Sequence, residues 1–414
     1  MQTVPDSHGA RPDRFPLGAA VRLADLDVDP YPILARLREH EPVTWVPETG
    51  MWFVTRRAEI VSILRDATRF TTDAERSTIR DIFGRHMMTT DGEVALRYKR
   101  ACLHAFRADV LAREMAPWVE ERARSLVGAR EVGGSRGGGA ARDRDDLELM
   151  VDVATPLAVA SALRVLGLPE GLTDAITGWY DDFAAALANF RGDPDVRSRG
   201  RAAAAAFGEA VGPLLEQASA DDPGLLAHLA TAAGAERLHD EEIIANALII
   251  LFGGIETTAS MIGSTVWSLL ATRSWDDFVD GRWTTAAVLE ESMRWQPAVQ
   301  SITRHTTGDV TILGVAIPAG SVVQSMIGAA NRDPARFEEP DRFDPDRKNA
   351  SDHLSLGTGR HLCLGAHLAR LEIAAVLEAL REAMPSLSVA GPGLPPMRGY
   401  EFRRPESLPL LRNA

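Results

Sequence analysis

The sequence predicts a mainly α protein that folds as one large, helix-rich domain with small β-sheets. Helical periodicity runs through most of the 414 residues, whereas segments that alternate like strands are few and short. No linker separates an N-terminal from a C-terminal half. We therefore expect a poorly ordered N-terminal extension at 1–20 and a single domain at 21–414, which carries a flexible Gly- and Arg-rich surface loop at 130–144.

The first half of the chain begins with short elements and continues in longer helices. Short helices are predicted at 30–40 and 58–66, and the Trp- and Val-rich segments between them, 43–46 and 51–54, predict a strand pair. The helical pattern then returns in four stretches, 93–129, 147–166, 171–190 and 196–218.

The second half is dominated by a long helix that begins at Asp240. An acidic residue at its start, two more in its first turn and apolar periodicity to residue 270 all favour this helix. A further helix runs from about 284 until Pro297 stops it. Short β segments follow at 310–317 and 321–325, joined by a Pro-Ala-Gly turn, and a last helix begins after Cys363 and runs to about 383.

Charge and cysteine content exclude several classes of function. The chain has 45 Lys and Arg against 58 Asp and Glu, a net charge of −13, which disfavours nucleic acid and membrane surfaces as partners. Only Cys102 and Cys363 are present, so there is no disulfide framework. The N-terminus does not resemble a signal peptide, and the most apolar segment, 243–255, is shorter than the ~20 residues of a membrane helix. We expect a cytoplasmic protein.

The first chemical motif is the segment from Gly357 to Gly365, which reads GTGRHLCLG. Its cysteine, Cys363, stands at a predicted helix start behind glycines that allow backbone to approach a flat ligand. The positive end of the helix and its free N–H groups would stabilise a thiolate. Two other interpretations stay open: an inert core cysteine, and a zinc site that uses His361, Cys363 and His367 but lacks a convincing fourth ligand.

Two further motifs lie on predicted helices. In the long helix, Gly253 and Gly254 precede Glu256 and Thr257; each mid-helix glycine costs about 1 kcal/mol relative to alanine. The glycines either allow close helix packing or leave room for a small ligand beside the carboxylate and hydroxyl. The second motif pairs Glu291 with Arg294, three residues later on the same helix face, and it is by itself no more than a surface ion pair.

These motifs, in this order, resemble the cytochrome P450 superfamily of the soluble bacterial type. The loop at 329–334 and the Pro-Asp-Arg-Phe segment at 340–343 are part of the same resemblance. The resemblance extends from about residue 20 to the end. It implies haem b (iron protoporphyrin IX) bound between the long central helix and the Cys-containing loop. Cys363 would be the axial iron ligand, and its electron-donating thiolate favours O–O cleavage. Glu256 and Thr257 would be the acid–alcohol pair that relays protons during O2 activation.

By the same resemblance, further residues contact the haem or hold its loop. Arg304 and His361 match positions that bind the propionates. Lys99, with Arg100 as a second candidate, stands where the family has Arg, and Ala95 replaces its usual His. Leu356 replaces a Phe beside the sulfur, while Gly357, Gly365 and Gly253 allow close approach. A buried charge cluster is expected from Glu291, Arg294 and Arg342.

The resemblance implies a monooxygenase that hydroxylates or epoxidises a mostly apolar small molecule, such as a natural-product intermediate. Electrons would come from a ferredoxin and its ferredoxin reductase, which would dock on a basic patch of Arg97, Arg100, Arg107, Arg360 and Arg370 unless these arginines pair locally. The predicted substrate pocket comprises Ile82, Phe83, Met87, Met88, Phe183, Leu187, Ile249, Ile250, Val299 and Ile302, each of which could instead be plain core.

Two alternatives to this function remain open at the level of sequence. The same haem site could perform oxidative coupling, nitration or desaturation, or use peroxide directly, rather than oxygen insertion. Some relatives are haem-free helpers that activate a partner enzyme. Those relatives typically lack the ligand cysteine, so the intact motif around Cys363 argues against a helper.

Overall fold

The chain is mainly helical in the computed structural model, which describes residues 14–75, 77–129, 146–187, 189, 192–234 and 237–412. The α-helices of these residues are α1 (Pro16–Ala20), α2 (Leu23–Val28), α3 (Pro30–His40), α4 (Arg57–Arg65), α5 (Thr78–Phe83), α6 (Gly92–Leu103), α7 (Ala108–Glu114), α8 (Ala116–Gly128), α9 (Thr155–Leu166), α10 (Thr173–Leu187), α11 (Pro194–Glu216), α12 (Leu225–Thr231), α13 (Asp240–Ala271), α14 (Trp275–Val279), α15 (Thr285–Trp295), α16 (Ile327–Ala330) and α17 (Ala366–Ala383).

The strands are short and form small sheets. They are β1 (Val43–Val46), β2 (Met51–Val54), β3 (Phe70–Thr71), β4 (Asp146–Glu148), β5 (Ser301–Thr306), β6 (Val310–Ile312), β7 (Val315–Ile317), β8 (Val322–Met326), β9 (Leu387–Val389), β10 (Met397–Arg398), β11 (Arg404–Pro405) and β12 (Pro409–Arg412). The largest sheet has the order β1-β2-β8-β5-β3, in which only β2 and β8 are parallel.

The long helix α13 forms the centre of the fold. Its start is fixed by Glu242, which accepts a hydrogen bond from the backbone N–H of His239 and another from the Tyr98 hydroxyl of α6. The N-cap is therefore His239, one residue before the acid expected to cap it. Most of α13 is buried, packed against α9, α15 and α17, and this helix bundle carries the main hydrophobic core.

The predicted fold class is confirmed, and most helix bounds agree within a few residues. The strand pair β1 and β2 and the last helix match their predicted positions. The expected helix at 93–129 is three helices, α6, α7 and α8, separated by a 3-10 turn at His104–Phe106 and by Met115. Strands β3, β4, β5 and β9 to β12 were not expected, because segments of two to six residues carry too little periodicity to detect.

Two predicted segments fall wholly or partly outside the described residues. The loop at 130–144 lies outside them, and so do residues 1–13 of the expected N-terminal extension. Within the rest of that extension, α1 is anchored: the backbone N–H groups of Leu17 and Gly18 donate to the Glu41 carboxylate.

Two helical segments satisfy length and hydropathy criteria for crossing a membrane. They are Leu149–Leu166 and Asp240–Ala271, and 67% of the apolar window of each is buried within the protein. Burial of this kind is typical of core helices, because a helix that is apolar all round must pack against other elements.

Candidate functional site

One cavity of about 460 Å³ brings together the main sequence motifs. One part of its wall comes from the segment between Ser355 and Gly365, another from α13 and the neighbouring helices α9 and α17, and a third from β5. The predicted contact residues on this wall are Lys99, Gly253, Thr257, Arg304, Leu356, Gly357, His361, Cys363 and Gly365.

The loop before Cys363 depends on two glycines in the left-handed region. Gly357 has φ +71° and Gly359 has φ +74°, and a Cβ at Gly359 would lie 2.9 Å from the Leu64 carbonyl oxygen. The Cys363 backbone N–H donates to the Leu356 carbonyl at 2.9 Å and closes the loop. A short 3-10 turn at Gly359–His361 then leads through the cysteine into α17.

The Cys363 thiol faces the cavity with protein around it. Cys363 keeps accessible surface and lines the cavity, and desolvation by the surrounding protein raises the pKa of its thiol. A hydrogen bond from the Gly365 N–H and the positive charges of Lys99 and Arg370 act in the opposite direction. These groups would stabilise a thiolate once a metal ion takes the proton's place.

Lys99 binds the cysteine loop rather than pointing at a free anion. Its Nζ donates to the carbonyl oxygens of Arg360 at 3.0 Å and Leu362 at 2.8 Å. Arg100, the second candidate, lies off the cavity wall: its side chain is 60% exposed and stands 3.7 Å from Glu93. Successive residues of a helix point about 100° apart, so Arg100 turns away from the wall that Lys99 and three other residues of α6, Gly92, Ala95 and Leu96, line.

Arg304 and His361 stand on the cavity wall. Arg304 is buried, and desolvation lowers the pKa of its guanidinium to about 10; within the described residues it has no ion-pair partner. His361 lies 2.9 Å from Asp91. Although burial pushes the other way, hydrogen bonds from His361 and Thr71 hold the pKa of Asp91 far below its usual value.

These residues fit a haem. Only the more distant charge of Asp91 acts on the buried Arg304 guanidinium, and a propionate would supply the direct ion pair that it lacks among the described residues. The thiol supported by the Gly365 N–H is the ligand type expected for the iron. On α13, a Cβ added to Gly253 would meet nothing within 4 Å, which favours room for a ligand over close helix packing at this glycine. Within the described residues, no group of three or more His, Cys, Asp or Glu side chains could hold a zinc ion.

The buried charge cluster exists, but one of its members differs from the prediction. Glu291 and Arg294 form a bidentate pair, with both N–O distances 2.7 Å and both side chains fully buried. The third residue is Arg347, whose Nε lies 3.3 Å from Glu291, and not Arg342. The Arg342 side chain is 63% exposed, and only its carbonyl oxygen accepts a bond from Arg294.

The predicted acid–alcohol pair is split between two sides of α13. The Thr257 hydroxyl donates to the Gly253 carbonyl at 2.6 Å and lines the cavity. Glu256 is not among the cavity-lining residues: its carboxylate accepts from the Tyr180 hydroxyl at 3.0 Å and lies 3.3 Å from Arg404 Nε. Desolvation and the nearby Glu256 charge raise the pKa of Tyr180 above its usual value. Adjacent residues of a helix face different directions, and the pairing of Glu256 holds it against α10.

The predicted substrate pocket is partly correct. Six of its residues line the cavity: Met87, Met88, Ile249, Ile250, Val299 and Ile302. The other four, Ile82, Phe83, Phe183 and Leu187, pack behind the wall. Phe83 meets Phe183 edge-to-face with ring centroids 5.1 Å apart and contacts the cavity-lining Phe252 at 5.7 Å, so this aromatic layer supports the wall from outside.

Most of the predicted basic patch is neutralised by local partners. Arg97 pairs with Glu242, Arg107 with Asp109 and Arg370 with Glu290, while Arg100 has a loose pair with Glu93. Arg360 is exposed and has no ion-pair partner in the described part of the chain. The local-pairing interpretation therefore holds for four of the five arginines.

Several residues of the site were not predicted from the sequence. Asp91, Arg347, Tyr180 and Arg404 act through pairings between distant segments, for which a single sequence carries no signal. Asn331 joins its loop to the cysteine segment by accepting from the Leu354 N–H and donating to Ser355. Glu372 on α17 also lines the cavity; its helical spacing from Leu368, one turn earlier, was the only available signal.

Comparison with known proteins identifies relatives along nearly the whole chain. The family model described as "Cytochrome P450" matches residues 282–381. The cytochrome P450 monooxygenase PikC of Streptomyces venezuelae is 30% identical over 402 residues, which cover 92% of this chain and 89% of that protein. The erythromycin C-12 hydroxylase of Saccharopolyspora erythraea is 30% identical and covers 83% and 84%. The crystal structure of CalO2 superposes with a TM-score of 0.82 at 29% identity, covering 93% of this chain and 96% of that one.

Proposed function

The chain belongs to the cytochrome P450 family, and from that membership we propose that its cavity holds a haem whose iron is bound by the Cys363 thiolate. It is a monooxygenase of the soluble bacterial type, with relatives in secondary metabolism. The observation that carries the iron assignment is the shared wall: Cys363, Arg304 and the open face at Gly253 border one cavity.

We expect the haem to be haem b, without a covalent link to the chain. Cys102, the other cysteine, is fully buried in the core, off the cavity wall, and desolvation raises the pKa of its thiol to about 12. Arg304 and His361 would bind the propionates, and Lys99 would hold the carbonyls on either side of His361. When bound, this group supplies reductive activation of O2 and transfer of one oxygen atom to the substrate.

On the α13 side of the cavity, Thr257 is the hydroxyl group placed to handle protons. Because its hydrogen is donated to the Gly253 carbonyl, the lone pairs of its oxygen are free to accept a hydrogen bond from a water molecule in the cavity. A hydroxyl held in this way orients water and passes protons on. Glu256 would join this relay only after leaving Tyr180 and Arg404.

We expect two electrons per turnover to come from a ferredoxin served by a ferredoxin reductase, in the cytoplasm. The surface outside the cysteine loop supports such a contact, because Arg360 is exposed there and Lys99 binds the loop beneath it. The four arginines with local partners would contribute less, since an ion pair already offsets the charge of each.

The substrate is proposed to be a mostly apolar small molecule, hydroxylated or epoxidised as a natural-product intermediate. Methionine and aliphatic side chains dominate the wall, among them Met87, Met88, Ile249 and Ile250. Flexible methionines adapt to irregular shapes, which suits a bulky scaffold. The relatives agree with this class, since one is named for hydroxylation of erythromycin.

The proposed function is tested with the purified, haem-loaded protein. We expect the ferrous carbon monoxide adduct to show the red-shifted absorption of thiolate ligation, and the product to carry one atom from labelled O2. Absorption typical of imidazole ligation would contradict the Cys363 assignment. Product without label would instead favour oxidative coupling or desaturation at the same site.

The Thr257 assignment is tested by Thr257→Ala. Its expected effect is a loss of product with continued oxygen uptake, so that electrons appear as free hydrogen peroxide, while the thiolate spectrum stays. Thr257→Ser keeps a hydroxyl at this position and should restore part of the coupling between electrons and product. Full coupling in the alanine variant would refute the relay.

A further inference from the structure

Between the apolar wall residues Val299 and Ile302, the chain carries one hydroxyl group, that of Ser301. Strand β5 begins at this residue, and β3 pairs only with His305 and Thr306 near the other end of β5. Among the described strands, one edge of β5 is therefore without a partner at Ser301, and this part of the strand borders the cavity. Ser301 is half-buried, so a ligand in the cavity would lie against it.

The Ser301 hydroxyl is bound by a side chain from the neighbouring strand. Gln324 on β8 is fully buried, and its Nε2 donates to Ser301 Oγ at 3.2 Å. This bond occupies a lone pair of the oxygen, so the hydroxyl hydrogen needs an acceptor of its own. The described residues supply no acceptor for that hydrogen.

The direction of the Gln324 amide follows from its other partners. Its Nε2 also donates to Glu401 Oε1 at 3.0 Å, and its Oε1 accepts from the Tyr400 hydroxyl. Desolvation raises the pKa of the Glu401 carboxyl to about 6, which leaves the group mostly ionised at neutral pH. Because an ionised carboxylate only accepts hydrogen bonds, Glu401 must face the NH2 end of the amide and not its oxygen.

The fixed amide sets the hydrogen-bonding role of Ser301. Both hydrogens of Gln324 Nε2 are used, one by Glu401 and one by Ser301. Ser301 therefore accepts a bond on the protein side and has its O–H left to donate on the cavity side. The matching partner is an oxygen that accepts, such as a carbonyl or an ether oxygen. A ligand without such an oxygen would leave the donor unpaired, which is unfavourable.

Thr303 shows what distinguishes this hydroxyl. It stands two residues further along β5 and also lines the cavity, and Arg304 donates to its backbone carbonyl. No described side chain bonds to the Thr303 hydroxyl, so nothing fixes whether that group donates or accepts. Of the two hydroxyls, only that of Ser301 has its direction set by the protein.

We propose that Ser301 binds the substrate by donating a hydrogen bond to an acceptor oxygen, and that Gln324 is the positioning residue that sets the direction of this bond. The inference rests on the monooxygenase function proposed above. It narrows the substrate class to a mostly apolar scaffold that carries a carbonyl or ether oxygen. That oxygen would lie against the start of β5 and hold the scaffold in one orientation within the cavity.

The first test compares two probes of the same size, cyclooctanone and cyclooctane, which differ in one carbonyl oxygen. Their dissociation constants are measured with the haem-loaded protein from the change in haem spin state. A hydrogen bond between neutral groups has a modest net effect, so Ser301→Ala should weaken cyclooctanone about three- to tenfold and leave cyclooctane unchanged. Ser301→Thr keeps the hydroxyl and should bind cyclooctanone like the native protein. An equal change for both probes, or none for cyclooctanone, would overturn the proposal.

The second test observes the bond itself. In the infrared spectrum, the C=O band of bound cyclooctanone should lie at lower frequency in the native protein than in Ser301→Ala, because a hydrogen bond weakens the C=O bond. Gln324→Leu should shift the band partway, since Ser301 can then turn its hydrogen elsewhere. The matched control Thr303→Val should leave the band at its native position. A shift in Thr303→Val without one in Ser301→Ala would refute the role of Ser301, and a native band in Gln324→Leu would refute that of Gln324.

The outcomes separate this inference from the function on which it rests. If the native protein lacks the thiolate spectrum, the proposed function fails. If it has that spectrum and Ser301→Ala binds cyclooctanone like the native protein, only the role of Ser301 fails. Should Ser301→Ala not fold, Ser301→Cys takes its place, because a thiol is a weaker donor than a hydroxyl. That variant should bind cyclooctanone more weakly and raise the frequency of its C=O band, and native values of both would count against the proposal.

Discussion

The two sides of the cavity are built in different ways. On the side of Cys363, the charged groups have partners: Glu291 and Arg294 form a fully buried bidentate pair, and Lys99 donates to two carbonyls of the loop. On the side where α9, α13 and α17 meet, Glu372 Oε1 and Ser161 Oγ have no partner within the described residues. The paired charges of the first side hold the cysteine loop in one geometry, whereas the oxygens of Glu372 and Ser161 on the second side can hydrogen-bond to water.

This difference follows from what each side has to do. A metal ligand must hold one position, and a satisfied network of buried charges is rigid because breaking it strands a charge. Proton delivery needs groups whose hydrogen bonds can be exchanged with water, and these cost stability when they are left unpaired. The unsatisfied oxygens of Glu372 and Ser161 fit the second task, because an apolar residue at either position would avoid the cost.

The largest effect is expected at the centre of the rigid side. Cys363→Ala removes the only side chain of the loop that can donate a thiolate, so the thiolate-type carbon monoxide spectrum and turnover should both be lost completely. The Glu291–Arg294 pair does not touch this atom, and the thermal unfolding of the variant should stay cooperative. Retained thiolate absorption would show that another group ligates the iron.

The next effect tests whether the charge cluster holds the loop. Arg294→Met leaves Glu291 buried with only Arg347 nearby, which should cost about 3–5 kcal/mol of unfolding free energy. Denaturant unfolding of the haem-loaded protein measures this change. Arg342→Met is the matched control: its side chain is exposed, so its effect should stay within about 0.5 kcal/mol. Equal effects of the two substitutions would contradict the finding that the Arg342 side chain lies outside the cluster.

The buried carboxyl group of Glu372 should make the stability of the protein depend on pH. The pKa of Glu372 is raised to about 8 in the folded protein and is near 4.5 when unfolded, so between these values only the folded state keeps the proton. Stability should therefore fall as pH rises through this window, by at most about 1.4 kcal/mol per pH unit.

Buried His86 has the opposite effect on the pH dependence of stability, but at lower pH. Desolvation lowers its pKa from 6.5 to about 3, so stability from this residue rises with pH up to about 6.5. The measurement is therefore best made between about pH 6.5 and 8, with urea unfolding at each pH. Glu372→Gln should show a flatter profile than the native protein in that range. An identical slope in both would mean that Glu372 is already ionised in the fold.

How far the sequence predicts the molecule also differs between the two sides. The fold class, most helices and the cysteine loop could be predicted, because periodicity, glycines and the local order of motifs carry them. Which of Arg342 and Arg347 pairs with Glu291 could not be predicted, since this depends on the path of the loop backbone that carries both arginines. Glu256 stands next to Thr257 in sequence, yet helix rotation and the Tyr180 contact turn it away. Glu372 looks like one more surface glutamate until α9 and α13 cover it.

The smallest effect concerns Lys99, which joins α6 to the rigid side. Lys99→Met keeps the apolar stem but loses the donors to the Arg360 and Leu362 carbonyls, which should cost about 1 kcal/mol because the site is partly open to solvent. Amide hydrogen exchange at 360–363 should become faster. Arg100→Met, on the same helix but facing solvent, should leave these amides unchanged. If the amides at 360–363 exchange equally slowly in both variants, Lys99 contributes nothing to the rigidity of the loop. The contrast between the two sides of the cavity would then rest on the Glu291 cluster alone.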